Sequence, residues 1–230
     1  MDRSSATVVV FGATGMVGGQ VLRHALADPD IGEVISIGRR EIGLPDAHLT
    51  EIQHQDFTNL SALEGFLATA DIVHWCLAAY QAQVTPDDYE KITVGYLAAL
   101  VETLERVNPT ARLCLHGAAG ASPDQTASAV FALVKGRAEN VLTGSTLDDH
   151  LIFRPALIVP TAPGKGRFWP KRLLEALFRL FPTLGLTDSD LGAVMSHAGL
   201  HNEARGVWQN RDIRAHLAAL KERSADGSAR

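Results

Sequence analysis

The sequence predicts an α/β fold in which a doubly wound parallel sheet is flanked by helices and followed by a small helical C-terminal lobe. Uninterrupted apolar runs, typical of strands buried on both faces, alternate with segments whose apolar residues recur at helical spacing. A glycine-rich turn separates the first such run from the first helical segment. Strands that alternate with helices require right-handed crossovers, so the sheet should be parallel.

The predicted elements follow one another regularly through the first two thirds of the chain. We expect a helix to begin at the sequence Thr85-Pro86-Asp87-Asp88, because threonine caps helices, proline suits the first position and carboxylates favour the positive end of the dipole. Asn108-Pro109 should end it. The strands are predicted at residues 7–11, 33–37, 51–55, 71–77, 112–115 and 151–159, and the other helices at 17–26 and 127–142.

The pattern changes after Pro160. Helical spacing at residues 169–181, 191–200 and 213–220 predicts a lobe over about 160–222, which we expect to cover the carboxyl edge of the sheet. The lobe is too short to fold alone, so residues 1–222 should form one domain, and residues 223–230 a disordered tail. An exposed apolar face on the 169–181 segment would favour a homodimer.

Composition and charge exclude several classes of protein. The formal net charge of −5 leaves no basic excess to neutralise phosphates, so we expect no nucleic-acid partner. No apolar run reaches the roughly 18 residues of a membrane span, and the N-terminus does not resemble a signal peptide. The two cysteines, Cys76 and Cys114, are too few for a disulfide scaffold. These features predict a soluble cytoplasmic protein.

The most informative segment lies between the first strand and the first helix. Gly12, Gly15 and Gly18 are spaced as GxxGxxG. The first glycine would permit a tight turn, the second would let a pyrophosphate approach the backbone, and the third would let the helix pack on the strand. A purely structural turn is the alternative, but the position after a buried strand favours a dinucleotide-binding Rossmann fold.

Arg39 and Arg40 follow the second strand, where an NAD site would place a carboxylate. Guanidinium groups there suit the 2′-phosphate of NADP(H), although both could be merely solvated. Glu41 would reverse the preference if it faced the ribose. Asp56 and Phe57 are placed to contact adenine. The remaining candidate cofactor contacts are Thr14, Met16, Val17, Ala78 and Lys135.

Five segments, GATGMVG, GRR, DF, VKGRAE and FRPALI, give the chain a family resemblance over nearly its whole length. It resembles the atypical short-chain dehydrogenase/reductases, and among them the small Tat-interacting-protein-like and NmrA-like NAD(P)-binding oxidoreductases. The resemblance implies a Rossmann fold that binds NADP(H), a strand order 3-2-1-4-5-6 and a substrate cleft under the C-terminal lobe.

The resemblance also implies a catalytic serine after the fifth strand and a Tyr-xxx-Lys motif on the next helix. Here the strand is followed by GAAGA at 117–121, without serine, and Phe131 stands in the tyrosine position. Lys135 is retained and would hold the nicotinamide ribose. His116 and Tyr80 are candidates to replace the missing proton donor, although His116 could equally be a buried structural residue.

Two functions therefore stay open: an NADP(H)-dependent oxidoreductase or epimerase-like enzyme acting on a small molecule, and a catalytically silent NADP(H) sensor that regulates a protein partner. The i, i+4 pair His197 and His201 could share a helix face and bind a metal. Its context, HAGLHNE, lacks the HExxH order. We expect no metal site.

Overall fold

A computed structural model describes residues 5–161, 185–201 and 204–227. Its strands are β1 (Ala6–Phe11), β2 (Ile31–Gly38), β3 (Leu49–Gln53), β4 (Ile72–Trp75), β5 (Arg112–His116), β6 (His150–Arg154), β7 (Leu157–Val159), β8 (Gly185–Thr187) and β9 (Gly206–Gln209). Its α-helices are α1 (Met16–Ala27), α2 (Glu64–Leu67), α3 (Pro86–Glu90), α4 (Tyr96–Val107), α5 (Val130–Thr143), α6 (Asp188–His201) and α7 (Asn210–Gly227).

Seven of these strands form one parallel sheet in the order β3-β2-β1-β4-β5-β6-β9, which confirms the predicted doubly wound α/β fold. The first six strands follow the 3-2-1-4-5-6 order, and β9 extends the sheet beyond β6. The chain order reverses between β1 and β4. In such sheets a ligand crevice opens at the carboxyl ends of the strands on either side of this reversal.

Strand β1 is buried on both faces, as its apolar sequence predicts. Val8 and Val10 pack on one face with α1, and Val9 and Phe11 pack on the other with α4. None of the four is more than 1% exposed. The two-residue alternation of a strand thus divides the apolar core into two layers, one on each side of the sheet.

The segment before α4 is more irregular than a single predicted helix. Thr85 caps α3 as expected, because its Oγ1 accepts a hydrogen bond from the backbone N–H of Asp88 at 3.2 Å. A π-helical turn at Lys91–Gly95 then joins α3 to α4. Such turns often occur at functional sites, and this one carries the buried Thr93 towards α5.

The C-terminal part differs from the prediction in three respects. Helix α6 packs on α1 at the side of the sheet and not over its carboxyl edge. The two helices approach so closely that a Cβ on Gly192 would lie only 2.5 Å from Gln20 Cβ. The predicted strand at 151–159 is divided at Pro155, and its second half, β7, pairs with β8 in a separate small sheet. Helix α7 continues to Gly227, into the first five residues of the tail expected at 223–230, because Lys221-Glu222-Arg223 favours helix. The last three residues of that tail lie outside the described residues.

The predicted helix at 169–181 lies outside the described residues. Within the part of the chain that the structure describes, no helix is long and apolar enough to span a membrane.

Candidate functional site

The glycine turn lies at the carboxyl end of β1. Gly12 has a φ of +80°, and its N–H donates to Ile37 O at 3.3 Å, which joins the turn to β2. The N–H of Gly15 donates back to Gly12 O at 2.9 Å. A Cβ on Gly18 would lie 2.4 Å from that same Gly12 O. The turn therefore requires a residue that adopts the left-handed backbone conformation at position 12. It also requires a residue without a Cβ at position 18, where α1 packs against the turn.

The N-terminus of α1 is suited to an anion. Gly15 precedes the helix, is exposed and supplies no side-chain cap, so the first backbone N–H groups are available to a ligand. The side chain of Val17 is buried in the core, which leaves only its backbone to contribute. A phosphate group at this position would meet N–H donors and the positive end of the helix dipole.

A groove of about 450 Å³ lies beside this turn at the reversal of strand order. One wall is aromatic, with the rings of Phe57 and Tyr96 at 5.6 Å between centroids. Seven of the predicted cofactor contacts border the groove: Gly12, Thr14, Gly15, Arg39, Arg40, Phe57 and Ala78. It is also bordered by residues that the sequence analysis did not select, among them Gln55, Gln83, Ile92 and Tyr96. No local motif marks these four.

The two arginines stand at the exit of β2, and both are exposed. Among the described residues, no hydrogen bond or ion pair engages the guanidinium of Arg39 or Arg40. These two guanidinium groups can therefore bind an anionic ligand at the edge of the groove without first breaking a hydrogen bond or ion pair to another described residue.

Asp56 has a local contact of its own. Its Oδ1 accepts hydrogen bonds from the N–H of Thr58 at 3.0 Å and from the Thr58 hydroxyl at 2.6 Å. These bonds lower the pKa of Asp56 below its usual value. The groove is bordered by Asp56's two neighbours, Gln55 and Phe57, and not by Asp56 itself.

A second, smaller pocket of about 10 Å³, the size of one water molecule, lies between β5, α5 and the π-helical turn. His116, Lys135, Thr93 and Glu139 line it together with apolar side chains. Burial lowers the pKa of Lys135 to about 8, against the opposite effect of the Glu139 carboxylate. Burial and the nearby Lys135 ammonium lower the pKa of His116 to about 3, so its imidazole is neutral at pH 7.

Glu139 is fixed by an ion pair that the sequence did not reveal. Its carboxylate is almost fully buried and accepts hydrogen bonds from Arg154 Nε at 2.9 Å and from Arg154 Nη2. The pair joins α5 to the end of β6. It holds the Glu139 carboxylate, paired with the Arg154 guanidinium, one helical turn after Lys135 and so restrains this part of the site.

Tyr80, the third candidate for proton transfer, and Phe131, which occupies the tyrosine position, are both exposed. Phe131 lies one turn before Lys135 on α5 and is 37% exposed, and Tyr80 borders the large groove at 49% exposure. The Ser122 hydroxyl accepts from the N–H groups of Thr126 and Ala127 and donates to Asp124, which closes its own loop.

The two histidines considered as metal ligands make different contacts. His197 Nδ1 lies 3.1 Å from His216 Nε2, whereas His201 Nε2 lies 3.0 Å from Asp28 Oδ2. The atoms of Asp28, Asp30 and His201 that could hold an ion lie within 4.8 Å of one another. His201 thus lies beside carboxylates of the α1–β2 connection, and its ring also contacts that of His197, with 4.7 Å between the ring centroids.

Comparison with known proteins agrees with this geometry. A family model described as NAD(P)H-binding matches residues 12–173. No protein of curated function matches the chain significantly.

Several solved structures share the fold. The enzyme WbmG of Bordetella bronchiseptica, in complex with NAD, is 17% identical with a TM-score of 0.66, over 96% of this chain and 80% of its own. A glucuronic acid dehydrogenase of Chromohalobacter salexigens is 16% identical with a TM-score of 0.66, over 93% and 83%. The dTDP-glucose 4,6-dehydratase of Bacillus anthracis, in complex with NAD, is 11% identical with a TM-score of 0.65, over 89% and 74%.

Proposed function

Because the chain belongs to the NAD(P)H-binding family, we propose that it binds NADP(H) in the groove beside the glycine turn and acts as an oxidoreductase of the atypical short-chain dehydrogenase/reductase type. The observation that carries the choice of NADP(H) is the pair of uncommitted guanidinium groups, Arg39 and Arg40, at the exit of β2. A 2′-phosphate carries up to two negative charges and accepts bidentate hydrogen bonds from such groups. Two similar structures were solved with NAD, so the preference for NADP(H) rests on the residues of this chain, Arg39 and Arg40.

The residues present fit a dinucleotide. The exposed backbone at Gly15 leaves room for the pyrophosphate, and the wall of Phe57 and Tyr96 suits a planar ring. Lys135 lines the smaller pocket, which shares Leu77 with the groove, and would hold the nicotinamide ribose. The bound cofactor would supply or accept a hydride.

We propose Lys135 as the group that moves the proton at the substrate oxygen. A pKa of about 8 lets its ammonium donate near neutral pH, and no tyrosine is among the described residues that line its pocket. His116, whose imidazole is neutral, would orient the substrate oxygen by hydrogen bonding and not donate an acidic proton. Tyr80, at the rim, would contact the substrate from the solvent side. The substrate would be a small carbonyl or hydroxyl compound in the cytoplasm.

The first experiment measures the affinity of the protein for NADPH and NADH by calorimetric titration. We expect tight binding of NADPH and weaker binding of NADH. Joint substitution Arg39→Ala and Arg40→Ala should raise the Kd for NADPH at least about tenfold, the loss of one charge-assisted contact, and leave NADH within about threefold. Equal losses for both cofactors would contradict a 2′-phosphate site.

A catalytically silent NADP(H) sensor, acting on a protein partner, is the second candidate. One observation favours it: Phe131, which cannot exchange a proton, stands one turn before Lys135, where the family resemblance implies a tyrosine.

Phe131→Tyr distinguishes the two candidates. Turnover of NADPH with a panel of aldehydes and ketones is measured for the wild-type protein and the variant. If Lys135 already serves as the donor, the wild-type protein turns over, and Lys135→Met abolishes turnover. A silent wild-type protein that gains turnover of about 100-fold over background as the tyrosine variant would support the sensor and contradict the Lys135 donor.

A further inference from the structure

The loop that follows β2 is held by three side chains at alternating positions, Glu51, Gln53 and Gln55. Successive residues of an extended chain point to opposite sides, so alternate residues point the same way. Gln55 Nε2 donates to Arg39 O at 3.0 Å, and Gln53 Nε2 donates to Glu41 Oε1 at 2.9 Å. The Glu51 carboxylate accepts the N–H groups of Ile42 and Gly43, the latter at 3.0 Å.

These contacts decide which charges the loop offers to a ligand. Arg39 and Arg40 border the large groove. Glu41, the next residue, does not border the groove but a neighbouring cavity of about 150 Å³, which it lines with Arg23 and which shares Thr14 with the groove. The two arginines therefore border the groove, whereas Gln53 holds the Glu41 carboxylate outside it.

The orientation of Glu41 matters because a carboxylate after the second strand has the opposite effect to an arginine. It accepts hydrogen bonds from both ribose hydroxyls of NAD and repels a 2′-phosphate. Glu41 directly follows Arg40 in the chain, and Gln53 Nε2 holds its carboxylate at 2.9 Å. Without that hydrogen bond the Glu41 side chain would be free to adopt rotamers nearer to the guanidinium groups. Its carboxylate would then neutralise one of them.

We propose that Gln53 is a specificity-determining residue, which keeps the protein selective for NADP(H) by holding the Glu41 carboxylate away from the groove. This inference rests on the proposed function. Gln53 touches no part of the groove and acts only through Glu41, so it is a positioning residue.

The test is a double-mutant cycle. Gln53→Ala frees Glu41, and we expect the ratio of the NADH and NADPH dissociation constants to fall at least about tenfold, with NADPH bound more weakly and NADH bound equally or better. Glu41→Ala should leave the ratio high, and the double variant should regain the wild-type ratio. Gln53 is exposed, so its replacement should leave the thermal midpoint within a few degrees.

Thr50→Ala is the matched control. It lies on the same edge strand, and its hydroxyl donates to Glu33 at 3.1 Å, away from the arginine loop, so it should not change the ratio. A Gln53→Ala variant that loses affinity for both cofactors equally, without rescue by Glu41→Ala, would show a merely structural role and overturn the inference alone. A wild-type protein that binds neither cofactor would overturn the proposed function and this inference with it.

Discussion

Gly15 and Gly18 lie three residues apart in one turn, yet we expect their substitution by valine to have different effects. Gly15 is exposed and borders the groove, and a Cβ there would have one close contact, with Gly12 O at 3.0 Å, so a side chain would occupy space proposed for the pyrophosphate. A Cβ at Gly18 would lie 2.4 Å from Gly12 O and 3.0 Å from Cys76 Cβ. Gly15→Val should therefore lower the affinity for NADPH and NADH more than tenfold, with a small change in stability, whereas Gly18→Val should destabilise the fold by about 3 kcal/mol.

Denaturant titration and cofactor titration of the two variants check this pair. Undiminished cofactor affinity in Gly15→Val would remove the turn from the binding site. A Gly18→Val variant as stable as the wild type would mean that α1 need not pack so closely on β1.

At the same scale, sequence spacing identified the turn because Gly12, Gly15 and Gly18 lie close together in the chain and each has a local steric reason. It could not identify Glu139 with Arg154, since the pair is formed by a helix and a strand 15 residues apart along the chain. Nor could it show which way Glu41 points, because that depends on Gln53 in the neighbouring strand.

At the scale of the element, helix α5 carries two ion pairs that should differ in their effect on stability. Glu139 is 2% exposed and Arg154 15% exposed, whereas Glu90 and Arg137 are each 40% exposed. Glu139→Ala leaves a desolvated guanidinium without its partner and should lower the free energy of unfolding by about 3 kcal/mol. Arg137→Ala, on the same helix, should lower it by less than about 1 kcal/mol.

Urea denaturation of both variants measures the difference. Replacing Glu139 and Arg154 together by methionine should recover most of the loss, because no buried charge then remains unpaired. Equal effects of the two single substitutions would contradict the assignment of a desolvated pair.

Strands and helices could be predicted from the sequence where a single apolar periodicity continued without interruption. Strands β1, β2, β4 and β5 and helix α1 form where apolar spacing placed them. Pro155 divides the strand that was predicted at 151–159. The packing of α6 on α1 depends on the close approach of Gly192 to Gln20, which lie far apart in the sequence, so apolar spacing could not reveal it. The four-residue β9 is specified by its pairing with β6 and not by a pattern of its own.

For the molecule as a whole, five histidines have pKa values below the usual 6.5: His24, His74, His116, His197 and His216. Burial is the largest cause in each. The pKa falls to about 4 for His197 and to about 3 for His74 and His116. Between the folded and unfolded pKa values the unfolded chain binds more protons, so these groups contribute their full stability above about pH 6.5. They lose it as the pH falls towards the folded value, which is about 4 for His197 and about 3 for His74 and His116.

His74 offers the sharpest test of this acid sensitivity. Its side chain is 1% exposed between β1 and β5, with an Nδ1 that has no hydrogen-bond partner among the described residues. In His74→Leu, the slope of unfolding free energy against pH between 4 and 6 should decrease by about 1.4 kcal/mol per pH unit, the contribution of one proton. An unchanged slope in His74→Leu, measured by urea denaturation across this range, would mean that the buried imidazole is protonated in the folded protein, and that the site between β4 and α6 admits water.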